Sequence, residues 1–463
     1  VVAAPDKFKG TLTAAQAAAH IAAGLQAARP GLAVGQVPVA DGGDGTVAAA
    51  VAAGYQPVRL TVRGPTGLPA EADFAVRDGT AIIEAAQACG LTRLPGGVPR
   101  PLTATSFGVG ELIAAAAARG VRRIVLGIGG VASTDGGAGM IQALGGRLAG
   151  RDGSQLPAGG AALAALDRLD LAGLLPLAGI EVLVASDVNN PLLGSHGAAA
   201  VYGPQKGASA ADVATLEAAL ARWADYAERA AKRERQVAGH PPGPGGSPRQ
   251  GQPPRAGQQR AGQQRAGRAR DEPGAGAAGG LGFAAQAFLG ARTRPGIELM
   301  LELTGFGERL AGARLVITGE GSLDEQTLHG KAPAGVARAV AAARTAADDA
   351  AADTTVAAAP GAATGPGARA RLPVVAVAGQ CTLTAAQLRG AGIDAAYALA
   401  DIEPDLERCL AEAGQLLEEV SRRLADDWLP VSAAAAEQVP GQQAAGQRAA
   451  GQRAAGQRAG GQR

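Results

Sequence analysis

Short runs of aliphatic and β-branched residues recur along the chain, each closing on a glycine or an acid. They are VVAAPD (1–6), VGQVPVADGGDG (34–45), RRIVLGIGG (122–130), EVLVASDV (181–188), RLVITGEG (314–321) and LPVVAVAG (372–379). Their apolar positions are continuous, not alternating, which is the pattern of strands covered on both faces. Alanine-rich stretches of helical character separate them, at 14–28, 46–53, 111–119 and 334–344. This alternation predicts an α/β protein with mostly parallel sheet. Residues 57–85 differ: three β runs are joined by Gly-Pro and Asp-Gly turns with no helix between them. They predict an antiparallel or mixed ribbon and the entry into a second lobe.

Three stretches break the pattern. Residues 234–274 are rich in Pro, Gly, Gln and Arg and repeat AGQQR, residues 345–370 are alanine-rich without large apolar side chains, and the tail at 431–463 repeats AAGQR. Each buries too little apolar surface to offset its ordering entropy and is expected to lie outside the packed core. The arginine repeats carry no interleaved aromatics for base stacking, so nucleic acid is not an expected partner.

Composition narrows the picture further. At 463 residues the chain has room for two or more domains. The apolar fraction is 47% but aromatics are only 3%, so the core must be built from Val, Leu, Ile and Ala. A formal charge of +2 gives no general attraction to nucleic acid or a membrane surface. Cys89, Cys381 and Cys409 are scattered and read as buried thiols, and the histidines show no metal-ligand spacing. There is no signal peptide and no apolar run of the ~18 residues that span a bilayer, so the cytoplasm is the expected compartment. The chain opens directly on an apolar strand at Val1, which reads as a start lacking a residue or two.

In open parallel sheets, ligands bind beyond the carboxyl ends of the strands. Those ends carry Asp6, Asp41, Asp44, Asp187, Glu320 and Asp324. Acids converging on one edge repel one another unless a divalent cation or lysines relieve them, and Lys7, Lys9, Lys206 and Lys331 lie beside these motifs. Taken singly, each Asp also suits a helix N-cap. GIGGVASTDGGAGM (127–140) fits the dinucleotide pattern G-x-G-x-x-A at Gly127, Gly129 and Ala132. It reads better as an anion cradle of backbone N–H groups, with Gly129 and Gly130 at its turn and Ser133, Thr134 and Asp135 adding polar contacts. SDVNNPLLGSHGAAAVYGPQKGAS (186–209) forms a second polar loop, with Asn189 and Asn190 in a turn, His196 as a possible substrate contact, and Gln205 and Lys206 on a short exposed stretch. GAGAAGGLGF (274–283) is a third glycine-rich junction. VITGEGSLDEQTLHGKAPAGVAR (316–338) crowds Gly319, Glu320, Gly321, Asp324 and Lys331 at one strand end without the Gly-x4-Gly-Lys-Ser/Thr phosphate loop. The residue types point to an α/β enzyme that handles a nucleotide or phosphate with carboxylates, lysines and Mg²⁺. They leave the substrate open.

Taken together, APDKFKGTLTA, PVADGGDGT, GIGGVASTDGGAGM, SDVNNPLLG, GPQKGAS, GAGAAGGLGF, PGIELMLELTGF and VITGEGSLDEQTLHGKAPAGVAR resemble the bacterial glycerate kinase family of type I, in family order from Ala4 to about Ala400. Lys7 stands where the usual motif has Ser, and Asp44 where Glu is frequent. The resemblance implies ATP-dependent phosphorylation of D-glycerate, to 2-phosphoglycerate in most bacterial members and to 3-phosphoglycerate in some. It implies a discontinuous Rossmann-like lobe (1–60 and 290–430) and a second α/β lobe with a mixed sheet (61–289), with the active site in the cleft between them. On this reading Mg²⁺ is held by Asp41 and Asp187, while Lys9 and Lys331 stabilise phosphate oxygens. Asp187 or Asp135 accepts the hydroxyl proton, and Lys206 or an arginine receives the glycerate carboxylate. Backbone N–H groups of 127–139 and 319–321 face phosphate. A nucleotide-dependent oxidoreductase and a non-catalytic ligand-binding regulator are the alternatives. Monomer and homodimer both remain open.

Overall fold

The computed structural model describes residues 1–238, 269–328, 330–355 and 371–430. The 431–463 tail and the central parts of both insertions lie outside these residues. The edges of the insertions do not match the expectation of an unpacked chain. Helix Ala210–Ala238 runs into the first insertion and helix Ala332–Thr355 into the second, because Ala, Arg and Glu there favour helix. At 269–274 the chain is packed: Ala269 is buried, and Arg270 reaches Asp225 at 2.9 Å and Glu228 at 3.2 Å.

Two sheets organise the chain. The first contains β1 (Val2–Pro5), β2 (Gly35–Gln36), β11 (Val316–Leu323), β12 (Val374–Cys381) and β13 (Ala395–Ala398), in the order β13-β12-β11-β1-β2. Every pairing in it is parallel, with Val2 opposite Val316 and Val316 opposite Val374. The second is mixed, in the order β10-β9-β6-β5-β4-β3. In it β3 (Gln56–Arg63), β4 (Pro69–Arg77) and β5 (Thr80–Glu84) form the expected antiparallel ribbon. The ribbon continues in parallel through β6 (Arg123–Gly127), β9 (Glu181–Ala185) and β10 (Arg292–Arg294). A short antiparallel pair, β7 (Arg147–Ala149) and β8 (Arg168–Asp170), stands apart.

Both faces of the parallel sheet are covered, as its continuous apolar runs require. Ile21 and Leu25 of helix Ala14–Ala28 join Leu417, Val420 and Leu424 of helix Ala413–Trp428 over Ile317, Val375 and Val377. Val336 and Val340 cover Val316 and Ala376 from the opposite side. Helix Ala14–Ala28 begins where Thr13 and Gln16 form a reciprocal capping box. The two helices of the first layer touch closely because position 24 has no side chain: a Cβ there would sit 2.7 Å from Ser421 Cβ and against the Glu418 carbonyl.

Three of the few aromatics cluster in the second lobe. Trp223 is fully buried, stacks on Phe288 at 5.2 Å and meets Phe283 edge-on at 6.4 Å. Its Nε1–H donates to the Gly136 carbonyl at 3.0 Å, so the cluster anchors the glycine-rich loop after β6 from behind.

Two glycine-to-alanine changes should have opposite signs. Gly24→Ala wedges the helix pair apart and should cost about 1–3 kcal/mol. Gly307, in helix Phe306–Arg309, has open space where a Cβ would go. Gly307→Ala should therefore stabilise by roughly 0.4–1 kcal/mol. Urea unfolding midpoints compare the two, and equal shifts would contradict the packing described.

Candidate active site

The carboxyl ends of the parallel strands from both sheets border one cavity of about 660 Å³. Asp6 and Lys7 follow β1, Glu320 and Gly321 close the exposed end of β11, Gly129 and Gly130 follow β6, and Asp187 follows β9. Asp41 and Asp44 enter from the loop after β2, and Lys9, Lys206 and Lys331 complete the charged wall. Side chains more than 300 residues apart in sequence thus share one cleft between the two sheets.

Four of these acids are held by backbone N–H groups or by side chains. Asp6 Oδ1 accepts the Lys7 N–H at 2.6 Å, with Lys7 Nζ 3.8 Å away. Asp41 Oδ1 accepts from Gly43 N–H at 3.2 Å, and Asp187 Oδ1 from Gly296 N–H at 3.1 Å. Gly296 opens helix Gly296–Leu303, whose N-terminal N–H groups favour an anion. A side chain at 296 would strike the Asp41 carbonyl, so glycine is what lets Asp41 and Asp187 lie side by side. Glu320 accepts from Thr327 Oγ1–H at 2.6 Å, and Lys331 Nζ stands 3.9 Å from Glu320 and 3.7 Å from Asp324.

Glu84 was not foreseen as a site residue. It is 2% exposed and accepts from the backbone N–H groups of Gly45 and Val47, both at 3.1 Å. It therefore caps helix Thr46–Ala52 from across the sheet and fixes the loop that carries Asp41 and Asp44. The signal was present, since Glu84 is the acid that ends the apolar run AIIE of β5.

The charges crowd one another. Burial pushes Asp6 up to about 7, with Asp41 and Glu320 adding repulsion that Lys7 partly offsets. Burial and then the nearby Asp41 raise Asp187 to about 7, and burial raises Glu84 to about 7 against its two backbone bonds. Glu320 is raised as well, chiefly by burial.

Several expected contacts lie elsewhere. Asp135 is fully enclosed and its carboxylate is spent on Ser106 N–H (2.8 Å), Ser106 Oγ (2.9 Å), Gly137 N–H (3.1 Å) and Gly139 N–H (3.2 Å). It braces the helix start behind the loop and does not border the cleft, which removes it as the base. Ser133 and Thr134 are buried beside it and do not line the cavity. Most N–H groups of 127–140 are likewise committed: Gly129 to Gly42, Ala132 to Cys89 and Gly136 to Gly279. The long anion cradle therefore shrinks to Gly130. Gly127 and Gly129 serve packing, since Cβ atoms there would lie 2.6 Å from the Gly42 carbonyl and 2.7 Å from Gly43 Cα. This explains the G-x-G-x-x-A spacing without a dinucleotide. Gly319 sits inside the sheet, where a Cβ would press on Val377 Cγ2 at 2.7 Å. Asp324 lines a shallow outer depression and touches the site through Lys331. Asn189 borders a second cavity of about 1300 Å³, which adjoins the first at Ser186 and Asp187 and is rimmed by Arg292, Arg294 and Arg338. His196 does not line the cleft; its carbonyl accepts from Asn190. Lys206 lines the cleft but is 3% exposed, not displayed on the surface. Cys89 and Cys409 are buried as expected, whereas Cys381 is only half-buried.

Among the described residues no three His, Cys, Asp or Glu converge as a metal site. The mutually repelling pair Asp41 and Asp187 fits an ion of the Mg²⁺ type, which takes one or two carboxylates and fills its remaining positions with water and substrate phosphates. Among the described residues no helix is long and apolar enough to cross a membrane.

Two sheets that aim their strand ends, acids and lysines at one cleft define a two-lobed α/β protein with a charged site between the lobes. The Glycerate kinase family matches residues 1–357 and 353–429, and the chain belongs to that family. It is 37% identical over 429 residues to the glycerate kinase of Bacillus subtilis, covering 92% of this chain and 96% of that protein. It is 40% identical over 341 residues to the glycerate 2-kinase of Escherichia coli, covering 73% of this chain and 81% of that protein. A crystal structure from Salmonella typhimurium, assigned as glycerate kinase 2, superposes with a TM-score of 0.68 at 35% identity, covering 92% of this chain and 97% of that one.

The raised carboxylates make stability depend on pH in a definite direction. Asp6, Glu84 and Asp187 retain protons in the folded chain where unfolded carboxylates have lost them. Their contribution is therefore complete below the ordinary carboxylate range and is lost as the pH rises through about 7. Between pH ~5.5 and ~8 the urea midpoint of the ligand-free protein should fall, and it should fall less in Asp6→Asn and in Glu84→Gln. Parallel curves for all three proteins would show that these groups are not proton-holding in the fold.

Proposed function

We propose that the chain transfers the γ-phosphoryl group of ATP to D-glycerate and yields 2-phosphoglycerate. The observation that carries this reading is the convergence of Asp6, Lys9, Asp41, Glu320 and Lys331, which follow or end strands of the parallel sheet, with Asp187 from the mixed sheet around one cavity. The name of the Escherichia coli relative favours the 2-position.

Phosphoryl transfer is catalysed mainly by positioning and charge neutralisation. Lys9 and Lys331 face the triphosphate from the parallel-sheet side, Lys7 shields Asp6 from it, and backbone N–H groups at Gly130 and Gly321 approach its oxygens. Asp41 would hold Mg²⁺, which neutralises phosphate charge when bound, leaving Asp187 beside it to act as a base. Asp187 accepts the proton of the attacking hydroxyl, since a base poised near neutrality combines the correct ionisation state with useful basicity. Its place at the junction of the two cavities suits a group that must stand between two substrates.

An assay of ADP release with and without D-glycerate tests the reaction, and phosphorus NMR of the product identifies the hydroxyl. Asp187→Asn should lower kcat by roughly 10²–10⁴-fold with the fold intact. In the wild type kcat/KM should fall as the pH drops through about 7, because the base must be unprotonated to act. A near-normal rate in Asp187→Asn would remove it from the base role, and release of ADP independent of glycerate would remove the substrate.

A further inference from the structure

Lys206 is placed differently from the other cations of the cleft. Its side chain is 3% exposed, and its ammonium has one hydrogen bond, to the Ser133 carbonyl at 2.5 Å. Among the described residues no carboxylate lies within ion-pair distance of it. Asp135 is near enough to act through space, but its oxygens are spent on Ser106, Gly137 and Gly139. An ammonium carries three donors, and a buried charge is normally paired. Burial pushes this one down to about 8, the direction of a cation that lacks a counter-ion.

The surrounding backbone is shaped to hold it there. Ala278, Gly279 and Gly280 are successive left-handed residues that interrupt helix Ala277–Leu289. Among the described residues Ala278 is one of two non-glycines with positive φ, a conformation that costs an L residue energy and collects at functional sites. The turn lays Gly279 directly against the lysine, so that a Cβ there would lie 2.9 Å from Nζ. Ala278 and Lys206 both line the cleft, beside Tyr202 and Gln205.

We propose that Lys206, held by the Ala278–Gly280 turn, is the seat of the substrate's carboxylate and the residue that makes the enzyme select a hydroxy acid over a neutral polyol. This rests on the kinase reading above and assigns one part of its substrate. The remaining cations, Lys7, Lys9 and Lys331, stand on the parallel-sheet side among carboxylates, where a polyanionic phosphate balances several charges. Among the described residues Lys206 is the one cation lining this cavity from the mixed-sheet side, while Arg292 and Arg294 rim the adjoining one; beside Ala277 and Ala278 a single negative charge and a small carbon skeleton match one buried ammonium.

The test compares D-glycerate with its methyl ester, which keeps both hydroxyls and lacks the charge. Wild-type enzyme should prefer the acid, and Lys206→Met should lower kcat/KM for the acid by at least about 30-fold while changing the ester and the KM for ATP little. The preference then collapses. Equal losses on acid and ester, an undiminished preference, or a rise confined to the KM for ATP would each overturn the seat. Calorimetric titration of wild-type protein with acid and ester, without nucleotide, reads the seat separately from turnover and does not depend on the variant folding. Binding of the acid over the ester without turnover would keep the seat and end the kinase reading. Turnover with acid and ester bound alike would do the reverse.

Discussion

Repulsion among carboxylates is the constraint around which this molecule is arranged. Asp6, Asp41, Asp187 and Glu320 occupy one partly buried cleft, and burial together with their proximity holds several of them well above the usual carboxylate range. Such an assembly is unfavourable on its own. It persists because each acid is tied by backbone N–H groups or a lysine and because the surrounding sheets are packed enough to prevent their separation. A divalent cation between them would relieve it, so the crowding of the acids and an affinity for a metal-bound phosphate share one origin.

Glycine is how the chain achieves the crowding. Gly296 allows the Asp41 carbonyl to approach, Gly127 and Gly129 lie on Gly42 and Gly43, and Gly42 itself packs on Ala185. These contacts are backbone on backbone, closer than any side chain permits. Sequence patterns of this kind are easily attributed to a bound phosphate, whereas here most of these glycines bring two loops together, including Gly42, Gly43 and Gly129, which also border the cleft.

The parts of this arrangement that follow from local rules were legible in the sequence. Helix Ala14–Ala28 and the β3–β5 ribbon could be read because capping, helical spacing and turn residues agree, and the acids at strand ends could be read because parallel sheets place ligands there. What could not be read depends on partners distant in sequence. Asp135 has the same local signature as Asp187, a strand-end acid in a glycine-rich loop, and only Ser106, 29 residues away, reveals that it is structural. Lys206 sits in a polar turn that suggests exposure, and only the approach of Gly279 and Ser133 buries it. Glu84 closes a strand like the others, but its role is to cap a helix through Val47, 37 residues earlier.

Helix Gly296–Leu303 explains how the two halves of the site are joined. Ile297 and Leu301 pack into the core of the parallel sheet, while Leu299, Met300 and Leu303 pack onto the mixed sheet, so the helix is apolar on both sides and forms a wall common to the lobes. Its first N–H holds Asp187, and Gly296 abuts Asp41. The loop with Asp41 and Asp44 is further locked to the mixed sheet by Glu84 and Gly129. That loop also continues from β2, and its Val39 N–H donates to the Pro5 carbonyl of β1 at 3.0 Å. Asp41 and Asp44 are therefore tied to both sheets, and with the shared helix they join Asp6, Glu320 and Lys331 of the parallel sheet to Asp187 of the mixed one.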